Sequence, residues 1–167
     1  MVSERAKGAV YAATRERLAR LLDGEDDWIA ALSTVACELH QAFDRFSWTG
    51  FYRVTSRRPQ LLVVGPYQGT HGCLRIPFSR GVCGAAARSR QTQRVDDVSR
   101  FAGHIACSAD TRSEIVVPVL GRGGSDVLAV LDVDSTTFAA FDAADEVQLD
   151  AICRDLGERF PHGELRG

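Results

Sequence analysis

The segments EIVVPVL and DVLAVLDVDS, joined by the turn GRGGS, constrain this chain more than any other stretch. Two β-branched, apolar runs linked by a short glycine-rich turn form an antiparallel hairpin. Taking residues 121–125 as the turn sets Glu114 opposite Asp132, with Asp134 one same-face step further along its strand. Three carboxylates then cluster at one end of the hairpin. Like charges facing each other across a strand pair repel. The pattern therefore calls either for a one-residue slip that sends some of them to solvent, or for a pocket that holds a cation, a metal or a shared proton. A carboxyl kept protonated by its neighbours is a competent general acid at neutral pH.

The rest of the chain supplies layers for that hairpin. Residues 3–23 place Tyr11, Thr14, Leu18, Leu21 and Leu22 on one helical face, with Ser3 able to cap the start and Gly24 to end the run. DDWIAALSTVACELHQAF repeats the period with Ile29, Leu32, Ala36, Leu39 and Phe43. Cys37 reads as a small buried hydrophobe beside that stripe, and His40 as a helix-surface histidine. At Ser47 the period changes to two: SWTGFYRVT carries aromatics on both faces, so it is a strand covered on both sides. SRRP is a turn, QLLVVG a second strand, and GPYQGTHG a glycine-rich loop carrying Tyr67 and His71. CLRIPF is a short edge strand, RGVCGAAARSRQ a short helix and TQRVDD another short strand. Residues 97–113 show no period, and a patternless stretch of that length inside a compact domain is usually functional or disordered. Asp142 caps a last helix with the stripe Leu149, Ile152, Cys153, Leu156 and Phe160, which makes Cys153 a core residue. The expectation is one α+β domain over residues 1–167 with helices packed on an antiparallel sheet. Helices fill 1–45, sheet and loops 47–135, and a closing helix 142–160.

Composition excludes several classes of function. A net charge of -2 argues against a nucleic-acid partner, which demands a basic face. No apolar run approaches the roughly 20 residues of a membrane span. The start, MVSERAKGAV, has charge where a signal peptide would be apolar, which points to a cytoplasmic protein. In a reducing compartment five cysteines are not a disulfide framework. Cys73, Cys83 and Cys107 fall outside the apolar helical stripes, and their spacings lack the short pairs of structural zinc. A redox relay needs one low-pKa thiolate and a second thiol to resolve it, and this set supplies both. Cys83 near a helix N-terminus meets unpaired N–H groups that favour its thiolate, and His104 stands three residues before Cys107, whose thiolate it could stabilise. A zinc site built from Cys73, Cys83, Cys107 and a histidine is the competing reading.

GFY, CLRIPFSRGVCG, FAGHIACSADTRSEIVVP and LDVDS together resemble the free methionine-(R)-sulfoxide reductases, catalytic members of the GAF-domain superfamily. The likeness runs from about Trp48 to the last helix, with no departure at a motif position; His71-Gly72 and the Ser-Arg-Arg-Pro turn differ from it without touching an expected role. It implies a six-stranded antiparallel sheet with helices behind it and a loop-covered pocket on the other face. It further implies that Cys107 attacks the sulfoxide, that Cys73 resolves the product as a disulfide, and that Cys83 is a second resolving or relay thiol. Glu114, Asp132 and Asp134 become the acidic pocket residues, and Trp48 with Tyr52 or Tyr67 the aromatic wall. The implied partners are free methionine sulfoxide and thioredoxin or a similar dithiol, with no metal or organic cofactor and with homodimer formation left open. A GAF domain that only senses a small ligand is the alternative.

Overall fold

The computed structural model describes residues 4–105, 107–124 and 126–163. The Ser3 cap and the last residue of the GRGGS turn, Ser125, lie outside them. Six strands, β1 (Trp48–Thr55), β2 (Arg58–Gln68), β3 (Arg75–Pro77), β4 (Gln93–Val95), β5 (Ser113–Leu120) and β6 (Val127–Ser135), make one antiparallel sheet in the order β3-β2-β1-β6-β5-β4. Pro77 sits on an edge strand, where a missing N–H costs nothing. β2 begins earlier and runs further than the apolar stretch alone suggests, so Tyr67 belongs to a strand and pairs with Gly50 rather than sitting in a loop.

Side-chain alternation divides this sheet into two apolar layers. Phe51, Ile115, Val117, Leu131 and Val133 point to one face, where α1 (Glu4–Leu21), α2 (Trp28–Ala42) and α4 (Ala143–Arg159) bury Tyr11, Leu32, Leu39, Leu149, Ile152 and Leu156 against them. Each fully buried aliphatic side chain of this kind contributes about 1.5–3 kcal/mol. Trp48, Tyr52, Val54, Val116 and Val130 point to the other face, which is covered by α3 (Gly81–Ser89) and the loops around it. Three helices thus stand behind the sheet, and the fourth joins the loops in front. Two stripe residues differ from the helical reading: Leu21 and Ile29 are exposed, whereas Trp28 and Val35 fill the core instead. Cys37 is only half-buried and accepts a hydrogen bond from Gln41 Nε2 at 3.0 Å. His40 is partly buried against Thr49 Oγ1 at 3.3 Å, and burial lowers its pKa.

One buried carboxylate ties the helical layer together. Asp142 caps α4 by accepting from the backbone N–H groups of Ala144 and Asp145, and Asp145 closes the capping box on the Asp142 N–H. The Asp145 side chain is fully buried and also accepts from Lys7 Nζ at 2.8 Å, Tyr11 Oη at 2.8 Å and the Arg45 guanidinium. It thereby joins α1, the segment between α2 and β1, and α4. Asp145→Asn leaves the Arg45 guanidinium facing a neutral amide and leaves Lys7 with Asp142 alone, and removing one partner of such a buried set costs up to about 3–5 kcal/mol. Urea unfolding is expected to show a loss of that size, and a loss near zero would mean that the network contributes nothing net.

Candidate active site

β1, β6 and β5 lie side by side at the centre of the sheet, and their registers decide the site. Trp48 pairs with Asp134, which pairs on its other side with Glu114; Gly50 pairs with Asp132, which pairs with Val116. The tight-turn register therefore needs correction: Glu114 faces Asp134, not Asp132. The turn runs one residue longer, closed by Gly121 N–H on the Asp126 carbonyl at 2.8 Å, and a register shift between Val119 and Leu120 adds another residue in β6. Leu128 and Ala129 both face the helical layer, the mark of that bulge. A shift of two preserves the side-chain period, so all three carboxyls still point to the α3 face.

Glu114 and Asp132 are 5% and 6% exposed. Burying an ion costs several kcal/mol, so such groups keep their protons. Burial raises Glu114 first, and the neighbouring Asp132 and Asp134 raise it further. Burial and then Asp132 push Asp134 up, and burial lifts Asp132 from 3.8 to about 7. Apart from a proton shared with Glu114, one Asp132 oxygen, Oδ1, has no hydrogen-bond donor among the described residues. Cys83 sits in the first turn of α3, buried, and its thiol donates to Asp132 Oδ2 at 3.4 Å and lies 3.9 Å from Glu114 Oε1. The expected thiolate is not favoured there: desolvation, then Asp132 and Glu114, raise its pKa well above the ordinary value. These outweigh the helix N-terminus, whose effect is worth only about 0.3–1 kcal/mol at the surface.

Cys73, in the loop before β3, and Cys107, in the loop before β5, form a disulfide with a Cα–Cα distance of 5.3 Å. Both pack against the apolar layer in front of the sheet. Cys83, the thiol whose chain position lies between them, remains free. Trp48 is held by its indole N–H on the Thr70 carbonyl at 2.9 Å and stacks with Tyr52 and Tyr67, with centroids 5.7 and 5.3 Å away. Tyr52 is buried, and burial with the nearby Asp132 and Cys83 keeps its hydroxyl protonated.

Trp48, Tyr52, Cys83, Cys107 and the three carboxyls line one cavity of about 30 Å³, room for about two waters. Tyr67 supports the Trp48 ring without lining the cavity. His104 lines it with Nε2 3.7 Å from Glu114 Oε2, and burial lowers its pKa, so at neutral pH it is an uncharged neighbour of Glu114. His71 and Gly72, which read as having no role, are also in the wall. A Cβ at Gly72 would stand 2.9 Å from Tyr52 Oη and 3.0 Å from the Trp48 ring; at Gly50 it would overlap Tyr67 Cβ at 2.3 Å. The sequence signal for Gly50 is a glycine among aromatics, which gains meaning only once the strands are paired; Gly72 has no such neighbours in the chain.

The comparisons with known proteins agree with this geometry. Residues 25–158 match the GAF domain family. The chain is 39% identical over 150 residues to the free methionine-R-sulfoxide reductase of Escherichia coli, covering 90% of this chain and 88% of that one. The free methionine-R-sulfoxide reductase of Saccharomyces cerevisiae is 37% identical over 80% of this chain and 76% of its own. The chain belongs to the free methionine-R-sulfoxide reductase family of GAF domains. Among solved structures, a free methionine-R-sulfoxide reductase from Neisseria meningitidis in complex with its substrate superposes with a TM-score of 0.88 at 40% identity, covering 98% of this chain and 95% of that one.

In this family member the proton inventory of the cavity has a measurable consequence. A carboxyl whose folded pKa lies above its unfolded value stabilises the fold at low pH, and that contribution is lost as pH rises through the folded pKa. For Asp132 the window runs from 3.8 to about 7. The stability of Asp132→Asn relative to the wild type is therefore expected to increase between about pH 4 and about pH 8. Paired urea unfolding curves measure that difference; a difference independent of pH would mean that Asp132 is not held protonated.

Proposed function

We propose that this chain reduces free L-methionine (R)-sulfoxide to L-methionine, using Cys107 as the attacking thiol. The observation that carries this reading is the Cys73–Cys107 disulfide beside a cavity floored by three proton-rich carboxyls. In the reduced protein the Cys107 thiolate attacks the sulfoxide sulfur while a carboxyl of the cluster protonates the oxygen. The sulfur–oxygen bond breaks, methionine leaves with two more electrons on sulfur, and the oxygen remains as the sulfenic acid of Cys107. The Cys73 thiol condenses with it, releasing water and forming the disulfide. Thioredoxin or a similar dithiol then takes over the oxidation and restores both thiols. Cys83, protonated and bonded to Asp132, enters as a donor to the carboxyls; a relay role requires it to leave that bond. His104, uncharged beside Glu114, is not the cation that stabilises the Cys107 thiolate in this reading. In a reducing cytoplasm such a disulfide is transient and catalytic rather than structural.

Substrate recognition follows from the same residues. The carboxyls hold the ammonium group of a free amino acid, and the Trp48 face receives the S-methyl group. A methionine sulfoxide inside a polypeptide has no free ammonium and would strand those groups, a loss of about 1–3 kcal/mol or more. It also carries chain on both sides, which the loop bearing Cys107 obstructs. Incubation with racemic methionine sulfoxide and dithiothreitol, followed by chiral analysis, is expected to consume the free R epimer alone. N-acetylated and peptide-bound sulfoxides are expected to react poorly. Comparable efficiency on an oxidised peptide would sink the ammonium-binding role of the cluster.

The cysteines separate by kinetics. Cys107→Ser is expected to abolish turnover. With a protein dithiol as reductant, Cys73→Ser makes one methionine per chain and then stalls, because only the resolving step is lost. Cys37→Ser and Cys153→Ser leave turnover nearly unchanged. Rapid-quench counting of methionine per chain checks all four, and a wild-type rate from Cys107→Ser overturns the assignment of the attacking thiol.

A further inference from the structure

At the cavity floor Cys83 and two of the cluster carboxyls also make up a metal-type donor set, a use separate from the redox chemistry. Cys83 Sγ, a Glu114 carboxyl oxygen and an Asp132 carboxyl oxygen all lie within 4.8 Å of one another, and all three residues are buried. They come from α3, β5 and β6, elements whose positions are fixed by the sheet and both apolar layers. We propose that Cys83, Glu114 and Asp132 form a binding site for a thiophilic divalent cation such as Zn²⁺, and that the site persists when Cys73 and Cys107 are joined.

Geometry carries the proposal. Zinc bonds of about 2.3 Å to thiolate and about 2.0–2.2 Å to carboxylate, at tetrahedral angles, set sulfur and oxygen about 3.5–3.7 Å apart. Cys83 Sγ stands 3.4 Å from Asp132 Oδ2 and 3.9 Å from Glu114 Oε1, so three protein ligands are nearly in place. Asp132 Oδ1 supplies the independent sign of a missing partner: it is buried, and no N–H or O–H outside the acidic cluster reaches it among the described residues. No lysine or arginine is among the described residues lining the cavity, so nothing there already fills the role of counter-ion. The cavity of about 30 Å³ has room for an ion and one water as fourth ligand. His104, whose side chain is 18% exposed and whose Nε2 is 3.7 Å from Glu114 Oε2, touches both the cluster and solvent and is the candidate alternative to that water.

Binding displaces the Cys83 proton, and the sulfur ligand so formed selects the ion. A sulfur ligand with two carboxylates suits zinc and softer ions, whereas magnesium prefers oxygen ligands in octahedral geometry. Only the consequence for turnover rests on the reductase reading: an ion here occupies the carboxyls that would hold the substrate ammonium, and so competes with substrate.

The test uses the full chain in its disulfide form, without sulfoxide and without reductant, so that neither Cys73 nor Cys107 can act as a ligand. Cd²⁺ titration is expected to give one thiolate-to-metal charge-transfer band per chain, unchanged in Cys37→Ser and Cys153→Ser and absent in Cys83→Ala. Zn²⁺ calorimetry is expected to show at least about a hundredfold weaker binding in Cys83→Ser and Asp132→Asn, since losing even an outer partner costs about 10- to 100-fold. The two conservative replacements guard against a variant that fails to fold. No band in the wild type, a band that survives Cys83→Ala, or equal affinity for Mg²⁺ each overturns the site. Because the assay involves no turnover, its failure and a failure of the reductase reading are separate results.

Discussion

The two-residue alternation of β6 beyond its bulge at Leu128, held between β1 and β5, is the constraint on which the rest depends. Its odd residues Leu131 and Val133 belong to the helical layer, and its even residues Val130, Asp132 and Asp134 to the cavity side. A slip by one residue would exchange these sets, putting two carboxyls into the apolar core and two aliphatics into the cavity. The cost of burying the acids among hydrocarbon is large enough to exclude that register. Core and site are therefore specified together, and the site inherits the rigidity of the core.

Much of this was legible in the chain because the relevant signals are short-range. Alternation marked β1 and β5–β6, helical stripes marked α2 and α4, and the Asp142 cap forms as read. What stayed hidden depended on distant partners. Neither the longer turn nor the bulge at Leu128 leaves a local mark, so the pairing of Glu114 is displaced by two residues from the expected one while its face is as expected. The state of Cys83 went the other way from its helix position, because the acids that raise its pKa come from strands 31 and 49 residues further along. The cavity walls at His71 and Gly72 likewise follow from strand pairing and from the anchoring of Trp48 on Thr70, neither of which any sequence pattern announces.

The protein keeps two buried acidic groups of opposite character. Asp145 sits among Lys7, Arg45 and Tyr11, with each partner donating to it, and works as a structural anion. Glu114, Asp132 and Asp134 have no arginine or lysine among the described residues around their cavity and hold protons instead. Two cations and a hydroxyl surround the first, whereas burial raises the pKa of the cluster carboxyls, among other acids and a thiol. The first arrangement ties helices; the second stores a proton next to a redox-active sulfur.

The cavity of the disulfide form has consequences for traffic through the protein. With Cys73 and Cys107 joined, the cavity has space for about two waters, less than an amino acid fills. In the proposed cycle the disulfide has to be reduced before the next sulfoxide reacts, so the two half-reactions alternate, as in ping-pong kinetics. Flux through that cycle is set by whichever of the two donors, oxygen or electrons, arrives more slowly.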